Sequence, residues 1–168
     1  MMEWISLSRE EWGAEHGRGT QKTGARPLVV VHHTAQPDLM CGTALVDEIE
    51  AVQRIERFHA VDNGWAGIGY NFLITQNGHV FEGRGWDYIG AHAGSRADNA
   101  RSYGICFVIN GEERTPSRAA LAAFRGLVAW GVEIGRIERG YEVVGHRDLK
   151  ATACPGEAVY RCLREMRA

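Results

Sequence analysis

Cysteine is scarce in this chain, with four residues in 168. Cys41, Cys106, Cys154 and Cys162 are too few and too irregularly spaced for a disulfide framework, and their spacing matches no zinc finger. Any metal site must therefore recruit histidines from elsewhere. Charge imbalance is also small: 19 basic against 21 acidic residues leave −2, and no Lys/Arg cluster marks a nucleic-acid or membrane surface. No apolar run approaches a membrane span, and the opening "MMEWISLSREEWGAEHG" lacks the basic start and apolar stretch of a secretory signal. These absences predict a protein made in the cytosol, with no membrane span and no nucleic-acid partner. What is present is 45% apolar side chains in a length suited to one core, so residues 1–168 are expected to form a single domain.

Strand and helix patterns interleave along the chain. "RPLVVVHHTA" is a short β-branched run that reads as a buried strand ending in His32, His33 and Thr34. From Thr43 to about Val61 apolar residues recur at 45, 46, 49, 52, 55 and 58, the spacing of an amphipathic helix with Thr43 as its N-cap. "GYNFLITQNGHVFEGR" predicts a hairpin, strands near 69–75 and 79–83 joined through Asn77-Gly78 in a type I′ turn. "SYGICFVIN" reads as another strand and "TPSRAALAAFRGLVAWGVEIG" as a helix started by Pro116. "YEVVGH" and "PGEAVYRCLREM" supply a last strand and a last helix. With no repeat and no low-complexity linker, the expectation is an α/β fold: a central mixed sheet of about five or six strands flanked by helices. Glycine is concentrated between Gly64 and Gly104, either because backbone must approach a ligand closely or because the stretch is rich in tight turns.

The chemistry-bearing residues fall at strand ends. His32 ends one strand, His146 ends another, and Cys154 lies in the loop before Pro155-Gly156. Each alone reads as readily as a packed core residue, but three such positions can converge. Zinc suits two imidazoles and a thiolate, and a three-ligand set leaves the fourth tetrahedral position open, as in catalytic zinc sites. Tyr70 is either a core aromatic or a phenol able to hydrogen-bond a developing oxyanion. Thr152 is either a turn-stabilising hydroxyl or a second donor to that oxyanion.

Six stretches carry a resemblance: "EWGA", "VVVHHTA", "GIGYNFLI", "VFEGRGWDYIGAHAG", "YGICFV" and "VVGHRDLKATACPG". In this order, from Trp12 to Pro155, they resemble the zinc-dependent N-acetylmuramoyl-L-alanine amidases shared by phage endolysins and peptidoglycan recognition proteins. The resemblance implies a mixed sheet with one zinc ion at the base of a peptidoglycan groove, and His32, His146 and Cys154 as its ligands. It implies that Tyr70 orients the zinc water or polarises the scissile carbonyl, and that Thr152 follows the recognition-protein version of its position. His33, Thr34, His59, Trp65 and His92 match groove positions, and Trp86 matches groove wall or core. Gly64-Trp65 stands where such a pair accompanies stem peptides containing diaminopimelate, with Arg96 and Arg101 on the following loop as candidates to meet the extra carboxylate. The implied activity is hydrolysis of the amide between N-acetylmuramic acid and L-alanine, causing bacterial cell-wall lysis, with a non-cutting recognition module as the alternative. Without an appended wall-binding domain the chain reads most like a monomeric phage endolysin amidase, released to the wall by a separate, holin-type protein.

Overall fold

The computed structural model describes residues 4–35 and 44–167. Cys41 and the expected N-cap Thr43 lie outside them. Six strands form one sheet: β1 Ser6–Leu7, β2 Arg26–His33, β3 Phe72–Ile74, β4 Val80–Glu82, β5 Ser102–Phe107 and β6 Ile137–Gly145. Their order is β1-β4-β3-β5-β2-β6, and every neighbouring pair is parallel except β3 with β4. This is the mixed sheet flanked by helices that the patterns predict. The helices are α1 Leu45–Arg57, α2 Arg96–Arg101, α3 Arg118–Glu133, α4 Glu157–Arg161 and α5 Leu163–Met166.

Strand alternation divides the core between the two faces of the sheet. On one face Val29, Val31, Tyr103, Ile105 and Phe107 pack against α3 through Phe124, Leu127 and Val128. On the other, Leu73 and Cys106 pack against α1 through Val52 and Ile55. β2 is buried almost along its whole length because β5 and β6 cover both its edges. The same alternation places His32 opposite Cys106, its ladder partner on β5.

Several boundaries differ from the sequence reading. The first helix ends at Arg57 and widens into a π-turn over Phe58–Asp62. Its buried residues include Glu48, Ala51, Val52, Ile55 and Glu56, whereas Val46 and Phe58 are exposed. The apolar stripe is offset because both carboxylates are satisfied inside: Glu48 by His79 and Asn77, Glu56 by Arg9 and the backbone N–H groups of Glu15 and His16. The 75–79 connection is a three-residue loop rather than a type I′ turn. Gly78 N–H donates to Thr75, Thr75 N–H donates to His79, and only Gly78 takes positive φ, at 81°. α3 begins after Ser117, whose hydroxyl caps Ala120 N–H, so Pro116 lies outside the helix. The last helix is split at Cys162 into α4 and α5. The segment read as a loop, "GSRADNARS", contains α2, capped by Ser95 accepting from Asp98 N–H.

Candidate metal centre

β2 and β6 lie side by side, and both deliver a histidine at their C-terminal ends. His32 is on the last turn of pleat in β2; His146 opens the 3₁₀ turn that follows β6. The loop from 146 to 156 then folds back and is tied down at several points. Arg147 N–H donates to the Cys154 carbonyl (2.9 Å), Gly145 N–H to the Asp148 carboxylate (2.8 Å), and the Tyr160 hydroxyl to the other Asp148 oxygen (2.8 Å). The Arg147 guanidinium reaches both Ala153 and Glu157 at 2.9 Å. Arg147 and Asp148, adjacent to a ligand candidate, thus hold the loop that carries the other.

The result is a group able to hold a metal ion: ligand atoms of His32, His146 and Cys154 all lie within 4.8 Å of one another. Cys154 Sγ and His32 Nδ1 stand 3.6 Å apart. Nitrogen at about 2.0 Å and sulfur at about 2.3 Å on a tetrahedral ion would be about 3.5 Å apart, so the spacing fits zinc. His146 Nε2 supports the same fit, since it is buried without a hydrogen-bond partner. Burial holds the His32 imidazole well below its ordinary pKa, leaving it neutral, the form in which it can ligate. Burial pushes the Cys154 thiol up to about 11, so a thiolate there calls for a cation beside it.

A cavity of about 390 Å³ opens over this group, lined by His32, His33, Trp65, Tyr70, His92, His146, Thr152 and Cys154 among others. Tyr70 lies with its ring centroid 5.2 Å from that of His32. Burial, reinforced by the Cys106 and Cys154 sulfurs, raises the phenol well above its usual pKa, so it remains an O–H donor. The Thr152 hydroxyl accepts Cys154 N–H at 3.3 Å, which shapes the ligand loop from within. His33 borders the cavity while its Nδ1 accepts Gly111 N–H at 2.9 Å.

Other residues expected in the groove are placed differently. Thr34 is tied back to the sheet, its N–H to Phe107 and its hydroxyl to Ile109, and does not line the cavity. His59 is buried with its ring 4.7 Å from Trp65 and 5.4 Å from Tyr70; Nδ1 accepts Gly69 N–H at 3.0 Å. It therefore underpins two groove residues without lining the cavity itself. Trp86, partly buried, packs on Phe72 and Tyr103 against the core of the opposite face and lines neither this cavity nor the adjoining one. Gly64 is exposed and next to Trp65.

A second cavity of about 490 Å³ shares Trp65, Ala91, His92 and His146 with the first and adds Thr20, Arg84, Arg96, Asn99 and Lys150. The two form a continuous groove, basic away from the metal group. Arg96 faces it, whereas Arg101 is paired with Asp98 at 2.8 Å. Asn99 was not expected here: its Oδ1 accepts the backbone N–H groups of His92 and Ala93 at 2.9 and 2.8 Å. The Ser95-x-x-Asp98 pattern of a helix start was the available signal.

Fold and site define a mixed α/β protein with a His₂Cys group able to hold a metal ion at the floor of a groove. The chain belongs to the N-acetylmuramoyl-L-alanine amidase family, whose model matches residues 23–157. It is 38% identical over 161 residues to Peptidoglycan recognition protein 1 of Bos indicus, covering 95% of this chain and 82% of that protein. It is also 38% identical over 159 residues to an N-acetylmuramoyl-L-alanine amidase of Sus scrofa, covering 93% of this chain but 26% of that longer protein. Among solved structures, peptidoglycan recognition protein-LE in complex with tracheal cytotoxin, described as monomeric diaminopimelic acid-type peptidoglycan, superposes with a TM-score of 0.86 at 30% identity. That match covers 94% of this chain and 91% of that one. The ectodomain complex of recognition proteins LCa and LCx with the same ligand gives 0.84 at 35% identity, covering 95% of each chain.

These relatives correct the expected setting. They are animal recognition proteins and amidases, and one is an ectodomain, a part that stands outside the cell. A phage enzyme made in the cytosol and released by a separate protein does not accord with them.

Proposed function

We propose that the chain is a zinc-dependent amidase that cleaves the bond between N-acetylmuramic acid and the L-alanine of peptidoglycan stem peptides. The observation that carries this reading is the convergence of His32, His146 and Cys154 in one cavity beside Tyr70, in a chain of the amidase family. His32, His146 and Cys154 would hold the ion. Bound there, zinc supplies Lewis acidity and a water of lowered pKa. The chain's own residues do the rest. Tyr70, kept protonated by burial, donates to the oxygen that gains charge as the carbonyl is attacked. Thr152 holds the loop that presents Cys154. Trp65 walls the groove at the junction of the two cavities, and the basic end formed by Arg84, Arg96 and Lys150 suits a stem peptide bearing carboxylates. Together with Gly64-Trp65, this favours diaminopimelate over lysine in the stem.

The test is incubation with diaminopimelate-type peptidoglycan, with and without chelator, followed by mass spectrometry. Stem peptides beginning at L-alanine should appear only without chelator, and Cys154→Ser should lose both zinc and release. Full release by metal-free protein would end this reading. A second reading, recognition without cleavage, draws support from the relatives named recognition proteins; it predicts co-sedimentation with wall and no released peptide.

A further inference from the structure

Beneath the metal group lies a chain of side chains whose proton positions are fixed by its far end. Ser102, the first residue of β5, directs its hydroxyl to the Asp98 carbonyl in α2. A carbonyl can only accept, so the single hydroxyl proton is committed there. Ser102 Oγ therefore accepts from His92 Nε2, 3.3 Å away. With its proton on Nε2, a neutral His92 presents a lone pair at Nδ1. That atom lies 2.9 Å from His32 Nε2, which must be the donor. The remaining nitrogen of His32, Nδ1, is then a bare lone pair, and it is the atom 3.6 Å from Cys154 Sγ.

We propose that His92 is a positioning residue for the metal ligand His32: by accepting its Nε2 proton, His92 selects the tautomer whose Nδ1 points a lone pair at the ion. The inference rests on the zinc reading of the site. It adds to the place of His92 in the lining of both cavities a supporting role toward the ligand set.

The ring is held for this role. His92 stands edge-on to His32, with ring centroids 4.9 Å apart and planes at 85°. A β-carbon at either Gly90 or Gly104 would overlap the imidazole, so the two glycines leave the slot that the ring occupies. Asn99 fixes the backbone beneath it. α2 thus sets both ends of His92, its main chain through Asn99 and its ring through the Asp98 carbonyl and Ser102. Histidine ligands ordinarily hand their second N–H to a carboxylate, a carbonyl or water. Here the acceptor is another imidazole, which can serve only in one tautomer, and that tautomer is decided by a serine.

His92→Leu and His92→Asn make a matched pair, nearly equal in shape and equally able to fit the slot. Leucine offers no acceptor, while the asparagine Oδ1 falls near the place of Nδ1. Zinc chloride titrated against a chromophoric chelator should show His92→Leu binding about 10- to 100-fold more weakly than wild type, and His92→Asn within about threefold of it. Ring ¹⁵N spectra of the metal-free proteins supply a reading that packing alone would not move. His32 should carry its proton on Nε2 in wild type and His92→Asn, and mix both tautomers in His92→Leu. Ser102→Ala, which leaves the slot intact, should also weaken zinc binding by freeing His92 to exchange tautomers. Equal zinc affinity and an unchanged His32 tautomer across the series would overturn the proposal while leaving zinc in place. No zinc uptake by wild type, with the His32 tautomer still dependent on His92, would instead end the zinc reading and uphold the positioning of His32.

Discussion

Acidification should destabilise this protein through His59, by an amount that can be worked out. Burial lowers the His59 pKa from 6.5 to about 4. The unfolded chain therefore takes up a proton at this residue at a higher pH than the folded one does, and between these values the unfolded state binds more protons. Stability must then fall as pH falls: the contribution is complete above about pH 6.5 and is lost progressively down to about pH 4. For those two pKa values the loss is about 2 kcal/mol by pH 5 and about 3 kcal/mol by pH 4. His32 and His92, also depressed by burial, add to the wild-type slope, so the measurement is a difference. His59→Asn keeps an oxygen where Nδ1 accepts Gly69 N–H but cannot titrate. Urea unfolding of both proteins from pH 7.5 to pH 4 should show the wild type losing about 2–3 kcal/mol more than the variant, whatever their stabilities at pH 7.5. Parallel pH profiles would refute the argument, because His59 would then be protonated as readily folded as unfolded.

Two further outcomes follow from the geometry. Tyr70→Phe should lower the rate of stem-peptide release about 10²- to 10³-fold with little change in KM, measured by steady-state kinetics on soluble muropeptides. Arg26 is fully buried at the start of β2, stacks 4.2 Å from the Tyr103 ring, and donates to the carbonyls of Lys22, Tyr88 and Ser102 at 3.0–3.2 Å. Arg26→Met should remove this donor from the three carbonyls, of which Tyr88 keeps the Asn71 amide at 3.0 Å, and cost about 3 kcal/mol in urea unfolding.

What the sequence made legible was local. The end of "RPLVVVHH", the hairpin around Asn77-Gly78 and the 146–154 loop could each be placed because apolar runs and turn residues sit within a few positions of one another. His32, His146 and Cys154 followed from strand ends, and the family resemblance joined them. What stayed hidden depended on distant partners. The burial of Glu48 and Glu56 could not be read from the apolar spacing of their helix, because groups that satisfy them are 31 and 47 residues away in the chain. Trp86 could not be assigned to a face, since it packs on Phe72 and Tyr103 from two other strands. The role of His92 was hidden for the same reason: the atoms that fix its proton, in Ser102 and Asp98, look like the start of a strand and the middle of a polar loop.

The separation between His32 and Cys154, 122 positions, has a consequence for biosynthesis. His32 is made 114 positions before His146 and 122 before Cys154, and β5, whose Ser102 meets His92, is made between them. The three-residue set is accordingly completed only after β5 has been made. A chain that stops short of residue 146 holds one member of the set and one that stops between 146 and 154 holds two, so the full set requires synthesis past Cys154 and the pairing of β2 with β6.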